Sequence, residues 1–337
     1  MRFAELMKDV KILSQFGDDA VEVTGLSCSS SDVPRSGAFF AQRGTSVDGH
    51  EYVEEAICSG AGALVIDRQD VFLRLREVLK ENGPVVALVE NTRAALAVAA
   101  SNYYGRPTWA FDLIGIVGTN GKTSVSYLLE SILSIKSRVG VIGTISYRYP
   151  GCESRASLTT PDPVLLQKLF AEMRDAGVEH VVLETSSHGI AQHRIDGCRF
   201  KVGIFTNITQ DHLDFHGTFD EYLGAKLSFF ERHLEPIESD GVKAVINLDG
   251  PNAGKFIATS KVETLTFSTS NPEADYLAYD IQITGDGTFF VVRTPKGALE
   301  VKSSLIGAHS VENCLAAIAA SYGLGLNSEQ IASGIAS

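Results

Sequence analysis

Short apolar runs and longer amphipathic stretches alternate along most of this 337-residue chain. GALVI (62–66) and PVVALVE (84–90) read as short buried strands. Between them VFLRLREVLKENG has helical spacing, with Gly83 as its expected stop. TRAALAVAASNYYG predicts a further helix closed by Gly105 and Pro107. From FDLIGIVG the alternation restarts. Strand, turn and helix lead into RVGVIGTI, the helix DPVLLQKLFAEMRDAG, the strands EHVVLE and KVGIFTN, the helix FDEYLGAKLSFFERHL, and the strand KAVINLD. Repeated β-α-β units imply an α/β protein whose sheet is mainly parallel and covered by helices. The stretch YDIQITGDGTFFVVRTPKGALEVKSSLIG (279–307) has period two, interrupted at Gly-Asp-Gly and Pro-Lys-Gly. It predicts a small antiparallel sheet of hairpins. A chain of this length suggests two domains, and the break falls at YYGRPT, giving 1–107 and 108–337.

Composition narrows the function. Lys plus Arg number 29 against 41 Asp plus Glu, a formal charge of −12, which argues against nucleic-acid binding. The five cysteines are scattered and include no Cys-x-x-Cys pair, as expected of reduced thiols in the cytoplasm. The first residues carry charges throughout and have no signal-peptide core. No run approaches the ~18 to 20 apolar residues of a membrane span. A cytoplasmic protein without a membrane partner is the expectation.

The chemistry starts at IGIVGTNGKTSVSYLL (114–129), where an apolar run breaks into a glycine-containing turn before a helix. Such a turn aims backbone N–H groups and the positive helix end at an anion. Gly118, Thr119, Asn120, Gly121, Lys122, Thr123 and Ser124 form the candidate loop. Lys122 can reach terminal phosphate oxygens, and Thr123 can ligate Mg2+. Position 116 is Ile where the full Walker pattern has Gly. A nucleoside triphosphate is therefore expected here, against the plainer alternative of a strand–helix turn with a solvated lysine. Glu184 directly follows an apolar run, so a parallel sheet would carry it to the same edge. It reads as a metal-binding carboxylate or as a cap. The segment DHLDFHG (211–217) concentrates His and Asp without the separated Cys and His segments usual for zinc. His212 could instead join Glu184 at magnesium, or be structural. Helical periodicity alone makes Lys226 in EYLGAKLSFF a solvated lysine.

Together, GIVGTNGKTS, TTPD (159–162), ETSSHGIAQHRIDG (184–197), FTNITQDHLDFHG (205–217), EYLGAKLSFF (221–230) and GAHSVENCLAA (307–317) resemble the Mur ligase family, in the family's order and over nearly the whole chain. TTPD together with SSHGIAQHR is most similar to the family's tripeptide-forming branch. The resemblance implies an enzyme of peptidoglycan precursor synthesis, and so of cell-wall biogenesis, cell shape and cell division. It would be an ATP- and Mg2+-dependent, ADP-forming ligase that adds a third amino acid, meso-diaminopimelate or L-lysine, to UDP-N-acetylmuramoyl-L-alanyl-D-glutamate through an acyl phosphate. Residues 1–107 would then bind the UDP-sugar and 108–337 would be the central ATP-binding domain.

The resemblance also assigns roles. Lys122 clamps phosphate, Thr123 takes one magnesium, and Glu184 with His212 takes a second. Lys226 becomes an N6-carboxylysine, which reverses the reading from periodicity. Thr159, Thr160, Ser186, Gln192 and Arg194 would hold the muramoyl dipeptide, although each hydroxyl taken singly could equally cap a turn. SSSDVPRSGAFFAQRGTSVDGH (29–50) would be the uridine segment, with Ser30, Thr45 and Ser46 as contacts. There the chain departs from the family, having Ser29-Ser30-Ser31 where Asp-Ser-Arg is usual. Ser310 stands where Asn is usual, so the adenine side would rest on Asn313 and on His309. The chain stops at IASGIAS without the third, C-terminal amino-acid-binding domain of the family or its Asp-Asn-Pro-Arg-type motif. The selector between diaminopimelate and lysine is therefore unreadable, and the expectation is a monomer that binds both substrates but ligates poorly by itself. The competing readings are a folylpolyglutamate-type ligase and a non-catalytic nucleotide-binding fragment. The intact set Lys122, Thr123, Glu184 and Lys226 favours retained chemistry.

Overall fold

A computed structural model describes residues 1–44, 47–79, 83–211, 213–236 and 241–337. The chain divides into two compact units: Met1–Pro107 with Asp162–Ala171 and Gln192–Cys198, and Thr108–Pro161 with Glu172–Ala191 and Arg199–Ser337.

In the first unit five strands, β1 (Ile12–Phe16), β2 (Leu26–Ser27), β3 (Ala38–Phe40), β4 (Ala63–Ile66) and β5 (Val85–Val89), form a sheet in the order β1-β5-β4-β3-β2. Strands β2 to β5 are parallel, and β1 is antiparallel to β5. Side chains alternate across a strand, and here the two sets build separate cores. Phe40, Val65, Val85 and Ala87 pack on one face with Leu96, while Phe39, Leu64, Val86 and Leu88 pack on the other with Phe72. Helices α1 (Phe3–Leu6), α2 (Val53–Cys58), α3 (Gln69–Val78) and α4 (Thr92–Tyr103) supply the covering layers. Helix α3 ends before the expected Gly83: Leu79 is already extended (ψ 129°) and packs against the second core. Asn91 caps α4, its side-chain oxygen accepting the N–H groups of Arg93 (2.9 Å) and Ala94 (3.2 Å), a contribution of about 1 kcal/mol.

The second unit holds β6 (Asp112–Val117), β7 (Val139–Ile142), β8 (Ser146–Tyr149), β9 (Cys152–Arg155), β10 (His180–Glu184), β11 (Val202–Phe205), β12 (Lys243–Asn247), β13 (Glu263–Ser268), β14 (Tyr276–Thr284), β15 (Gly287–Thr294) and β16 (Gly297–Ser303). They make one 11-stranded sheet in the order β16-β15-β14-β13-β12-β11-β6-β10-β7-β8-β9. The centre is parallel. Antiparallel strands extend it at both ends, so the hairpins read from the sequence continue the parallel sheet. Strands β8, β9 and β13 have no counterpart in the sequence reading, because SYRY, CESR and ETLTFS carry too few apolar positions to show a buried face.

Helices α5 (Lys122–Leu133), α6 (Pro163–Asp175), α7 (Ser187–Ala191), α8 (Leu213–His216), α9 (Phe219–Arg232), α10 (Ala253–Thr259), α11 (Ala308–Gly323) and α12 (Ser328–Ala336) complete the described helices. On one face, α5, α11 and α12 share a core with Ile114, Ile116, Val182 and Ile204. Elsewhere Phe205 stacks on Phe256 (3.7 Å between centroids), and Phe229 meets Phe200 edge-on at 4.9 Å. No helix among the described residues is long and apolar enough to cross a membrane. Strand order reverses at β6, which has β10 on one side and β11 on the other. Such a switch point is where open α/β sheets place ligands, beyond the carboxyl ends of the strands.

Candidate phosphate and metal site

Three neighbouring strands end together at that switch point. Strand β6 runs into the loop Gly118–Gly121 and then α5. The first intrahelical bond runs from Val125 N–H to the Gly121 carbonyl (2.9 Å). As at any helix start, the first-turn N–H groups have no partner within the helix and are available to an anion. The chain beyond β11 pins the loop. Thr119 N–H donates to the Asn207 carbonyl (3.0 Å) and Asn120 N–H to Asn207 Oδ1 (2.9 Å), while Thr206 Oγ1 donates to the Asn120 carbonyl (2.7 Å). A Cβ on Gly118 would lie 1.9 Å from Thr206 Oγ1, so this approach requires glycine. Gly121 has φ +87°, and a Cβ there would meet Asn313 Oδ1 at 2.3 Å. Asn313 therefore stands directly against the loop, whereas the His309 side chain is 96% exposed and comes no nearer than 3.9 Å to Glu312. Ser124 is exposed on the first turn of α5.

Strand β10 delivers Glu184, which is 1% exposed. Its carboxylate accepts the hydroxyls of Thr123 (2.9 Å) and Thr144 (2.9 Å) and the N–H of Thr144 (3.3 Å). A Cβ on Gly143 would lie 2.2 Å from Glu184 Oε1, so the carboxylate sits in a cradle that a larger residue would fill. Among the described residues no cation hydrogen-bonds to this buried charge. A hard divalent cation is the partner its chemistry calls for, and Thr123 and Glu184 would hold it. Magnesium therefore fits the residues present. Among the described residues no cluster of three or more His, Cys, Asp or Glu side chains forms a metal site, so such an ion would depend on phosphate oxygens as well. His212 lies outside the described residues.

Two lysines converge on one carbonyl. Lys122 Nζ donates to the carbonyls of Gly118 (2.8 Å) and Thr119 (3.0 Å), and Lys226 Nζ donates to the same Gly118 oxygen (2.8 Å). Lys226 is 1% exposed, which corrects the solvated lysine expected from helical periodicity. The polar face of α9 at this point is turned toward the phosphate loop instead of water. Burial first, and then the Lys122 ammonium, hold the Lys226 amine well below its usual pKa, with Asp211 opposing. Burial also lowers the pKa of Lys122, with Glu184 and Asp211 opposing. The Tyr222 ring lies 4.5 Å beneath Lys226 Nζ, and its hydroxyl is 2.9 Å from Thr119 Oγ1. Lysine and loop are thereby tied through one side chain. Sequence reasoning missed Thr144, Thr206 and Tyr222. The position of Thr206 just after an apolar strand was the only available signal.

The residues assigned to the acceptor are distributed between the units. In the second, Thr159 Oγ1 is 3.1 Å from Thr144 Oγ1. Thr160, fully buried, donates to the Glu184 carbonyl (2.9 Å), and its Oγ1 lies 3.1 Å from Ser186 Oγ. In the first, Arg194 donates to Gln192 Oε1 (2.7 Å). Ser30 lines a cleft of about 370 Å³ with Cys28, Ser29, Phe39, Gln42 and Arg93. Thr45 and Ser46 lie outside the described residues.

Residues 116–321 match the profile of the Mur ligase middle domain, and residues 22–104 match that of the Mur ligase family catalytic domain. The chain belongs to the Mur ligase family. Among its relatives, UDP-N-acetylmuramoyl-L-alanyl-D-glutamate–2,6-diaminopimelate ligase of Geobacter metallireducens is 36% identical over 340 residues, covering 99% of this chain and 64% of the relative. The ligase of the same name from Corynebacterium glutamicum is 40% identical over 325 residues, covering 95% and 61%. The chain thus spans less than two thirds of the length of these relatives. A solved structure of a ligase of that name superposes with a TM-score of 0.82 at 26% identity, covering 99% of this chain and 66% of that one. A Mycobacterium tuberculosis folylpolyglutamate synthase complexed with ADP and AMPPCP shares the fold more loosely, with a TM-score of 0.60 at 20% identity over 72% of this chain. That similarity extends the fold, but not the function, beyond the Mur ligases.

Proposed function

We propose that this Mur ligase chain carries the nucleotide- and acceptor-binding parts of an ATP-dependent ligase that extends UDP-N-acetylmuramoyl-L-alanyl-D-glutamate by a diamino acid, with ATP and the UDP precursor as its ligands. The names of the relatives favour 2,6-diaminopimelate over lysine. In this reading residues 1–107 hold the UDP-sugar through the Ser30 cleft, and residues 108–337 hold ATP. A carboxylate does not condense with an amine in water. Its oxygen must first take the γ-phosphoryl group of ATP, releasing ADP, and the resulting acyl phosphate then yields an amide and phosphate when an amine attacks. Nothing in this sequence needs a protein nucleophile, so the protein's task is to position two anions and neutralise their charge. Lys122 and the first-turn N–H groups of α5 would clamp the phosphates. Thr123 and Glu184 would seat Mg2+, which supplies charge neutralisation at the transferring phosphoryl group.

Lys226 is the observation that carries a ligase reading over a plain nucleotide binder. A buried amine whose pKa is held well below its usual value gives up its proton more readily, and the neutral amine can add CO2, forming an N–C bond and releasing a proton, and so become a carbamate. An anion would then stand where the Lys226 nitrogen now donates to the Gly118 carbonyl, suited to orienting a cation near the phosphates. A sensor of nucleotide alone has no use for that conversion.

Calorimetric titration with the UDP-muramoyl dipeptide, with and without a non-hydrolysable ATP analogue and Mg2+, tests the reading. Precursor binding is expected in the parent chain. Glu184→Gln should abolish the Mg2+-dependent part of nucleotide affinity and leave precursor affinity unchanged. A chain that binds pterin but no UDP precursor would overturn the proposal.

A further inference from the structure

The segment 192–198 of the first unit contains a residue under backbone strain. His193 has φ +58°, a left-handed conformation rarely adopted by residues that bear a Cβ. Such conformations persist where the surroundings over-determine them, and they concentrate at binding sites. Two bonds hold this one. His193 Nδ1 is 2.7 Å from Asp196 Oδ2, and Nε2 is 3.2 Å from Asn91 Nδ2. The roles follow from Asn91, whose Oδ1 is taken by the N–H groups of Arg93 and Ala94. Its amide nitrogen must therefore donate to Nε2, which leaves the imidazole proton on Nδ1 directed at Asp196. Four residues on, a Cβ on Gly197 would lie 2.3 Å from the Ala97 carbonyl. The segment thus meets α4 at both ends, bonded to the helix cap through His193 and closely approaching Ala97 at Gly197. Gln192 and Arg194 flank the strained residue, and they meet at 2.7 Å.

We propose that His193 is a positioning residue: its imidazole, anchored to the cap of α4 and to Asp196, enforces the backbone turn that presents Gln192 and Arg194 as one preformed clamp for the carboxylate-bearing peptide of the acceptor. The identity of that ligand rests on the function proposed above. The turn itself does not. A guanidinium locked against an amide before ligand arrives loses less freedom on binding a carboxylate, so the strain is offset by pre-organisation.

The test uses the whole 337-residue chain with His193→Gly, which permits the φ but removes both bonds, and His193→Ala, which removes the bonds and disfavours the φ. His193→Asn tolerates the conformation and retains an amide donor. Affinity for the UDP-muramoyl dipeptide should fall about 10-fold in H193G and further in H193A, with partial recovery in H193N, while affinity for UDP alone stays within about twofold. Equal losses for UDP and precursor would mean a general disturbance of the unit and would overturn the proposal. A ligand-free measurement judges it independently. Nitrogen-15 relaxation of the Arg194 side chain should report an ordered guanidinium in the parent and a mobile one in H193G. Unchanged order in both H193G and H193A would sink the proposal. Failure of the parent to bind the precursor would remove the acceptor assignment but leave this readout decisive for His193.

Discussion

Two charge clusters, one in each unit, are built on opposite plans. In the first unit His50, 2% exposed, has a partner at each ring nitrogen. Nδ1 lies 2.6 Å from Asp48, and Nε2 accepts the Asp67 N–H at 3.2 Å. Arg68 closes on Asp48 (3.1 Å) and Asp70 (2.6 Å), and Thr92 donates to Asp67 (3.1 Å). In the second unit Lys122 and Lys226 share the Gly118 carbonyl, the Glu184 carboxylate bonds to hydroxyls, and Asp211 opposes the lowered pKa of both lysines. The first cluster pairs opposite charges and holds a loop to a strand. The second places like charges together beside a separate buried anion. Satisfied networks stabilise, whereas buried groups that lack a countercharge mark where a ligand is to supply one. Polar burial alone is therefore a poor guide to function, and the unmatched remainder is the better one.

The sharpest way to break the comparison is to spoil the loop that the unmatched charges surround. Gly118→Ala would press a methyl into Thr206, which is 3% exposed and already donates to Asn120. Overpacking costs about 1–3 kcal/mol, and the upper end corresponds to a roughly 100-fold loss of nucleotide affinity. If G118A bound ATP analogues like the parent, the loop would not be the phosphate site.

A smaller effect, of opposite sign, is expected from Lys226→Met. Methionine fills the same space without a buried amine, so in CO2-depleted buffer the variant should be more stable by about 1 kcal/mol. The pH dependence identifies the cause. The amine's proton affinity is lowered on folding, so below its folded pKa the full penalty applies. Between that value and the ordinary 10.5 the unfolded chain binds more protons, and stability rises with pH. The parent should show that alkaline rise, and in K226M it should shrink to the part contributed by Lys122. Labelled bicarbonate should give a carbamate signal in the parent alone. A variant less stable than the parent, with the rise intact, would place Lys226 among ordinary packed lysines.

What the sequence made visible follows the same division. The loop was legible because glycine, lysine and threonine lie next to one another, so one local pattern carries both backbone geometry and charge. Glu184 was legible because it ends an apolar run, and a parallel sheet brings such ends to one edge. Lys226 was not legible from its own surroundings. Periodicity reports which face of α9 is polar, but the partner of that face comes from Gly118, 108 residues earlier. Thr144 and Thr206 escaped because a threonine beside a strand is unremarkable until its hydroxyl is seen to cross to another strand. The strain at His193 also escaped, since nothing in AQHRIDG distinguishes a left-handed histidine from an extended one. The carbamate at Lys226 came from family resemblance alone, and the burial of the amine is what supports proposing it.

The matched cluster should respond to the mildest perturbation, and only in acid. Burial would raise the Asp48 carboxyl, but hydrogen bonds from the His50 backbone and ring and from Arg68 outweigh it and bring the pKa from 3.8 down to about 2. A carboxyl whose pKa falls on folding contributes stability fully above its unfolded value. That contribution is lost as pH drops through the folded one. Asp48→Asn should therefore flatten the part of the stability–pH curve between about 4 and 2, with thermal unfolding as the readout. Asp48 is partly open to solvent, so screening keeps the change below about 1 kcal/mol. Because Asn can still accept from the His50 N–H, the loop should keep its place and nucleotide affinity should not move. A loss of nucleotide affinity in D48N would show that the matched cluster also serves the site, and the contrast between the two plans would no longer separate stability from function.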